Sequence, residues 1–488
     1  MARHSEVDWH PVPPRGSPSS PADPGPEAPD GGPVWRIWPV LAILGTGVAL
    51  YAFFLYSEHV KITFGFFSHP PIYGLWGPRI APLALWVLPT GLVLAALGWA
   101  YTSARRIPSW LALPVLIAAG VATSAAVNVV RGGTWGLVRG AQTSQKVPYV
   151  SSDVHFVYRY GVRGFVENFL ALTSVFHSYN SRTHPPGVLV LLYALFRLLG
   201  RSDPARVATA IAVLGMLGAV AAWAIARALD NERSGRIAAV LFVASPGPLL
   251  LAYTNMDLVF AAAFGASIAM FLLAIRYHTT VWSSTAWAVG AGAVVGLATI
   301  LTFATIFVVL AATIAVLIQV RGIGNMVRLL GSAAVGALAV LAAARIVTGL
   351  DMVAIYHHLP EVSKPYDPYW IVASPVAWLI YAGLPVAALG VAGLFIKVPG
   401  ARRPILAGAL ALIMVVWGAL PTGVTHLRPG EVERTWAFLF PVLAACAAPI
   451  VERWSRRAGR WSGAVIAALV LVSVAQAVLI QAFWDTLF

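Results

Sequence analysis

Charge is what this chain has least of. Of its 488 residues, 11% are Asp, Glu, Lys or Arg, where a soluble domain carries about 25%. With 59% hydrophobic residues besides, it cannot cover a water-facing surface, and a soluble globular protein is excluded. Cysteine is almost absent. The single Cys446 sits inside an apolar run, so no disulfide forms within the chain and thiol chemistry is disfavoured. Acid is scarce too: 19 Asp and Glu face 33 Lys and Arg, a net charge of +14. In a soluble protein such a balance would suggest nucleic acid. In an apolar chain, basic residues mark cytoplasmic loops, and no nucleic-acid partner is expected. Walker loops, dinucleotide fingerprints and HExxH are missing, so energy for any reaction must arrive in an activated substrate.

What the chain does have is apolar length. Runs of about 17 to 24 apolar residues recur from Ile37 onward, and about 20 suffice to cross a bilayer. The sequence predicts an all-α polytopic membrane protein of about 13 transmembrane helices. They fall near 37–56, 80–103, 108–130, 206–228, 237–252, 257–275, 284–302, 304–320, 329–348, 372–395, 404–421, 435–450 and 461–484. Residues 1–36 read as a disordered cytoplasmic tail, because nine prolines and four glycines fall within 1–34 with no apolar stretch. No internal repeat is visible.

One segment sets the topology. Residues 188–199, VLVLLYALFRLL, are apolar but only about a dozen long, which suits a flat juxtamembrane helix better than a span. If it lies flat, the loops 104–107, 229–236, 276–283, 321–328, 396–403 and 451–460 face the cytoplasm and hold 14 Lys and Arg. The opposite short loops, 57–79, 253–256, 303, 349–371 and 422–434, hold 5. If it crosses, every later basic loop faces outward, against the positive-inside rule. The expected arrangement has a cytoplasmic N-terminus in the cell membrane. It leaves one long outer loop, 131–205, and two shorter ones, 349–371 and 422–434. Chemistry is expected on that outer face.

The long loop carries SSDVHFVYRYG (151–161) and SYNSRTHPPG (178–187). A carboxylate at the membrane surface suits a general base toward a hydroxyl, which makes Asp153 a candidate, with His155 in support. Capping the following helix is the commoner use of Asp after Ser, and on residues alone that reading stays open. THPPG places His184 at a proline-forced turn. Arg159, Arg163 and Arg182 stand beside these residues, where lipid headgroups are alternative partners. Asp257 heads the run DLVFAAAFG and is either a functional carboxylate or a helix-start residue. Loop 422–434, TGVTHLRPGEVER, crowds Arg428, Glu431, Glu433 and Arg434 together. Arginine suits phosphate because its planar fork donates twice, although an ordinary charged loop looks the same. His357 and His358 are adjacent, a spacing that seldom binds a metal.

The order of these features is familiar. An outer-loop Asp153 is followed by His184-Pro185-Pro186-Gly187 and a short flat helix. Then come the basic turn Asn231-Glu232-Arg233-Ser234-Gly235-Arg236, a span with Ser245-Pro246, and Asn255-Met256-Asp257. The chain thus resembles the GT-C superfamily of membrane glycosyltransferases, in the branch of protein O-mannosyltransferases and the lipid A aminoarabinose transferase. The acidic pair usual there is reduced to Asp153-Val154, and His-Pro-Pro-Gly replaces the commoner ending in Leu. The Ala-, Val-, Pro- and Arg-rich composition looks actinobacterial, where such enzymes are implied in arabinan, mannan and glycoprotein assembly. The resemblance implies a division into a tail (1–36), two extra spans (37–107), a catalytic half (108–280) and a C-terminal helical half (281–488). It implies a polyprenyl-phosphate sugar as donor and a glycan, lipid or protein as acceptor, with transfer by inversion. Asp153 and Asp257 would be catalytic. Arg434, Arg428, Arg182 and His184 would meet the donor phosphate, supported by Glu431, Glu433 and His155. The resemblance singles out no cofactor and is compatible with a divalent metal. A transporter or lipid flippase is the main alternative. A diphosphate-sugar ligase or polymerase and a noncatalytic assembly partner are further ones.

Overall fold

The computed structural model describes residues 34–59, 74–104, 106–141, 150–200, 203–277, 280–358, 369–395 and 436–486. The helices in chain order are α1 Val34–His59, α2 Val87–Ser103, α3 Ser109–Gly132, α4 Val154–Glu167, α5 Phe169–Leu172, α6 Tyr179–Thr183 and α7 Gly187–Leu199. There follow α8 Pro204–Met216, α9 Gly218–Leu229, α10 Glu232–Ala244, α11 Pro246–Leu251, α12 Asp257–Arg276, α13 Val281–Leu301 and α14 Thr305–Gln319. The rest are α15 Ile323–Thr348, α16 Met352–His357, α17 Tyr369–Ala382, α18 Leu384–Phe395, α19 Phe440–Arg457 and α20 Ser462–Phe483. The one strand pairing among the described residues is an antiparallel pair of three-residue strands, Gly74–Trp76 and Trp484–Thr486.

The chain is therefore the helical membrane protein its apolar runs predict. Among the described residues, nine helical segments are long and apolar enough to cross a bilayer. A tenth is the bent pair of α17 and α18, whose axes turn by 113°. Three of the expected spans account for the difference from 13. Residues 304–320 form the short α14, 237–252 break at Ser245-Pro246 into α10 and α11, and 404–421 lie outside the described residues. The α17–α18 bend falls at Gly383, whose φ of +90° favours glycine. A helix broken at membrane depth must satisfy its freed backbone groups within the protein. Gln476 of α20 does so: its Nε2 donates to the Ile380 carbonyl at 2.8 Å, and its Oε1 accepts from Leu384 N–H at 2.8 Å.

The spans share two polar ends. At one, Arg236 is 6% exposed and donates to the carbonyls of Tyr101 (3.2 Å), Ala104 (2.6 Å) and Ile107 (2.8 Å). Those carbonyls belong to the end of α2 and the turn after it, so one guanidinium closes a helix C-terminus. Glu232 receives Arg236, Arg227, Ser109 and the Trp223 indole. Glu452, from α19, accepts from Asn231 and Ser234 and pairs with Arg456. Helices α2, α3, α9, α10 and α19 are thus clasped by charge. The opposite end gathers 131–141, the segment 150–187, the start of α12 and the end of α15.

Candidate functional site

The segment 150–187 forms a lobe with its own aromatic centre. Phe156, Phe165, Phe169 and Phe176 are all buried. Phe176 lies 5.4–6.3 Å from the other three, ring centre to ring centre. Inside α4, Gly161 adopts φ +69° and ψ 168°, a region open essentially to glycine alone. The kink turns the chain so that residues 168–177 return against 155–160. Between the two strands of chain lies a cavity of about 670 Å³ lined by His155, Phe156, Arg159, Tyr160, Asn168, Ala171, Leu172, Val175 and His177.

Asp153 sits under this cavity. It occupies the N-cap position of α4 yet makes no capping bond. It is 0% exposed, and its carboxylate reaches across the lobe. Oδ1 accepts from the backbone N–H of His177 at 2.9 Å and lies 3.3 Å from His177 Nδ1. Oδ2 accepts from the backbone N–H of Ser178 at 2.9 Å. Ser178 in turn caps α6 by accepting from Asn180 N–H at 3.2 Å. His155, on the first turn of α4, donates Nδ1–H to the Ser152 carbonyl at 2.9 Å, and its ring centre is 6.0 Å from that of His177. A carbonyl only accepts, so Nδ1 of His155 carries a hydrogen, which in the neutral ring leaves the lone pair on Nε2.

The other sequence candidates fall close by or beyond view. Arg182 directs Nε and Nη2 at the Phe176 carbonyl, at 3.2 and 2.5 Å, while its side chain stays exposed. His184 donates Nδ1–H to the Asn180 carbonyl at 2.9 Å and stacks on Phe260 at 5.9 Å. Phe260 is one turn along α12 from Asp257, so the turn holding His184 meets the head of that helix. Asp257 is half-buried in the first helical position, its N–H held by Asn255 Oδ1 at 3.1 Å. A carboxylate there suits the positive end of the helix dipole. Arg163 pairs with Glu167 at 2.8 Å. Asp351 caps α16, and the Ala354 N–H holds its carboxyl below the usual range, with Arg345 adding to the effect. Arg428, Glu431, Glu433 and Arg434 lie outside the described residues. Among the described residues, no three His, Cys, Asp or Glu side chains converge on a metal position.

Sequence reasoning assigns no role to two residues, His177 and Asn255, the latter standing only as part of Asn255-Met256-Asp257. His177 precedes the motif stretch by one position and has no spacing signal of its own. Asn255 is 1% exposed, and its Nδ2 has no hydrogen-bond partner. Its signal was present, two residues before a membrane-edge aspartate.

Fold and site define a polytopic membrane protein with a cleft of titratable groups at one end of its helices. A family described as dolichyl-phosphate-mannose-protein mannosyltransferase matches residues 183–346, about a third of the chain. The match opens at Thr183-His184-Pro185-Pro186 and runs through Asp257 almost to the end of α15, and over these residues the resemblance to GT-C membrane glycosyltransferases is shown. Among solved structures, the crystal structure of ArnT from Cupriavidus metallidurans in the apo state is similar at 16% identity. It covers 65% of this chain and 72% of its own, with a TM-score of 0.47. No curated protein matches the sequence.

Proposed function

We propose that the protein is a membrane glycosyltransferase that moves a sugar from a polyprenyl-phosphate donor to a glycan, lipid or protein acceptor on the outer face of the cell membrane, with inversion. The observation that carries this reading is the family match, which begins inside the lobe that also holds Asp153 and the histidine-lined cleft. The matched family is named for a dolichyl-phosphate mannose donor, a sugar on a polyprenyl phosphate, and that supports the donor class here.

A polyprenyl tail stays in lipid, so its phosphate sits at the interface, at the depth of the helix ends. Displacement at the anomeric carbon needs a base for the acceptor hydroxyl and positive charge for the departing phosphate. In this reading the base is assembled on Asp153, with His155 beside it, and Asp257 orients the acceptor. Arg434 and Arg428 meet the phosphate, steadied by Glu431 and Glu433, with Arg182 and His184 at the edge. A transporter would want its ionisable groups near mid-bilayer between broken helices; the break at Gly383 is served by the uncharged Gln476.

The test is transfer by the full chain in lipid vesicles, supplied with labelled polyprenyl-phosphate mannose or arabinofuranose. Release of polyprenyl phosphate with a product of inverted configuration is expected. Asp153→Asn should lower turnover by about 100-fold or more, within the range for acid–base groups, and Arg434→Ala should raise the donor KM. No release from either donor, or an Asp153→Asn protein as fast as wild type, rejects this reading.

A further inference from the structure

We infer that the proton of the acceptor hydroxyl goes to Nε2 of His177, and that Asp153 is the positioning residue behind it. This rests on the glycosyltransferase reading and deepens it. An acceptor hydroxyl has to reach its base, and the Asp153 carboxylate is 0% exposed. Both of its oxygens already face backbone N–H groups, those of His177 and Ser178, at 2.9 Å each. The His177 side chain, in contrast, is 39% exposed and lines the cavity of about 670 Å³.

The tautomer follows from the partner. An ionised carboxylate only accepts, so the hydrogen of the His177 ring lies on Nδ1, directed at Asp153 Oδ1 3.3 Å away. In the neutral ring the lone pair is then on Nε2, the nitrogen away from Asp153. A carboxylate that holds an imidazole in one tautomer and steadies its charged form is a general device for making a histidine a base. Asp153 also fixes the backbone of residues 177 and 178, so ring and main chain are set by one group.

In the step itself, the acceptor oxygen forms a bond to the anomeric carbon as its proton passes to Nε2. The bond from that carbon to the donor phosphate oxygen breaks, and the phosphate leaves with the electron pair. The imidazolium that forms faces Asp153, and it later releases the proton to water. The charged and titratable groups around it are Asp153 beneath, His155, Arg159 and Tyr160 from α4, and Arg182 from α6, whose guanidinium is held on the Phe176 carbonyl. Residues 168–176 contribute no charged side chain.

The experiment uses the full chain in vesicles with polyprenyl-phosphate mannose or arabinofuranose. His177→Ala is expected to lower turnover by about 100-fold or more, with donor KM within a few-fold of wild type and part of the rate restored by added imidazole. His177→Gln, which keeps a polar side chain of similar reach, should be equally slow. Wild-type turnover in His177→Ala, or no rescue by added imidazole, overturns the assignment while leaving the transferase reading intact. If the wild type releases no polyprenyl phosphate from either donor, the functional reading fails first and takes the assignment with it. A readout free of transfer is carbethoxylation by diethyl pyrocarbonate, followed by peptide mass spectrometry. His177 should be modified at pH 7, and an unreactive His177 overturns the proposal whatever the protein transfers.

Discussion

The two polar ends of the bundle use charge in opposite ways. At the end built on Arg236 and Glu452, ions face ions or helix carbonyls across five helices, and each acid has a cation or donor beside it. At the end built on Asp153, the acid is buried against backbone N–H groups, and the groups left facing the cavity are His155, Arg159 and His177. The first arrangement closes on itself and suits holding helices together. The second offers basic nitrogen to something not belonging to the chain. In a protein with 19 acidic residues, where acids stand separates the end that binds the helices from the end that holds the candidate site.

The sharpest break in this comparison is sidedness, because its outcome is all or none. Cysteines placed at the exposed Ser174 and Arg460, with the buried Cys446 retained, should differ completely toward an impermeant maleimide in intact cells. Position 174 should label, and 460 only after lysis. The reverse pattern would put the cleft in the cytoplasm and the clasp outside.

Next in size is the clasp. Arg236→Met removes the donor to three helix-end carbonyls, while Glu232, whose side chain is 41% exposed, keeps Arg227. A buried acceptor left unsatisfied costs about 1–3 kcal/mol, so the variant should insert poorly or lose thermal stability in detergent. Turnover per folded molecule should be unchanged. If turnover falls while stability holds, the two ends are not separate in function.

Gly161→Ala sharpens the opposite side. No atom lies within 4 Å of the added Cβ, so only backbone strain counts, about 1–3 kcal/mol in this region of φ and ψ. Transfer should weaken with little change in global melting, because the lobe alone is strained. Equal losses in both would tie the lobe to the whole bundle.

The smallest effect concerns Asp230, which shares the Ser234 hydroxyl with Glu452. One hydroxyl proton cannot serve two carboxylates. Burial, with Glu452 adding to it, pushes the Asp230 carboxyl above its usual range, while Ser234, Asn231 and Arg456 oppose the shift. A carboxyl raised in the folded state favours folding below its pKa and loses that contribution as pH rises. Asp230→Asn should therefore melt at or slightly above wild type at pH 7, with the gap narrowing as pH falls toward about 4, the unfolded carboxyl range. A variant less stable at pH 7 would show that the charged form is the one the clasp wants.

Apolar length was legible because a bilayer imposes it, and helices at 37–56, 82–103, 257–276 and 459–483 follow directly. The break at Ser245-Pro246 and the bend at Gly383 were not, because hydropathy is blind to where a backbone turns inside an apolar run. Asp153 and the His-Pro-Pro turn were visible as residue types in a plausible loop. The partnership of Asp153 with His177 was not, since it spans 24 residues and depends on the Gly161 kink and the aromatic centre folding the chain back. The strand pair Gly74–Trp76 with Trp484–Thr486 was equally hidden, because three residues carry no usable periodicity.

That 24-residue reach has a consequence for synthesis. The Asp153 lobe closes from contacts within one stretch of chain, and local contacts form quickly because they enclose little loop entropy. The clasp waits for Glu452, which meets Asn231 across 221 residues. A chain emerging from the ribosome can thus shape its candidate reaction centre long before its helices are fastened together, and a stop codon ahead of α19 would leave the lobe without its frame.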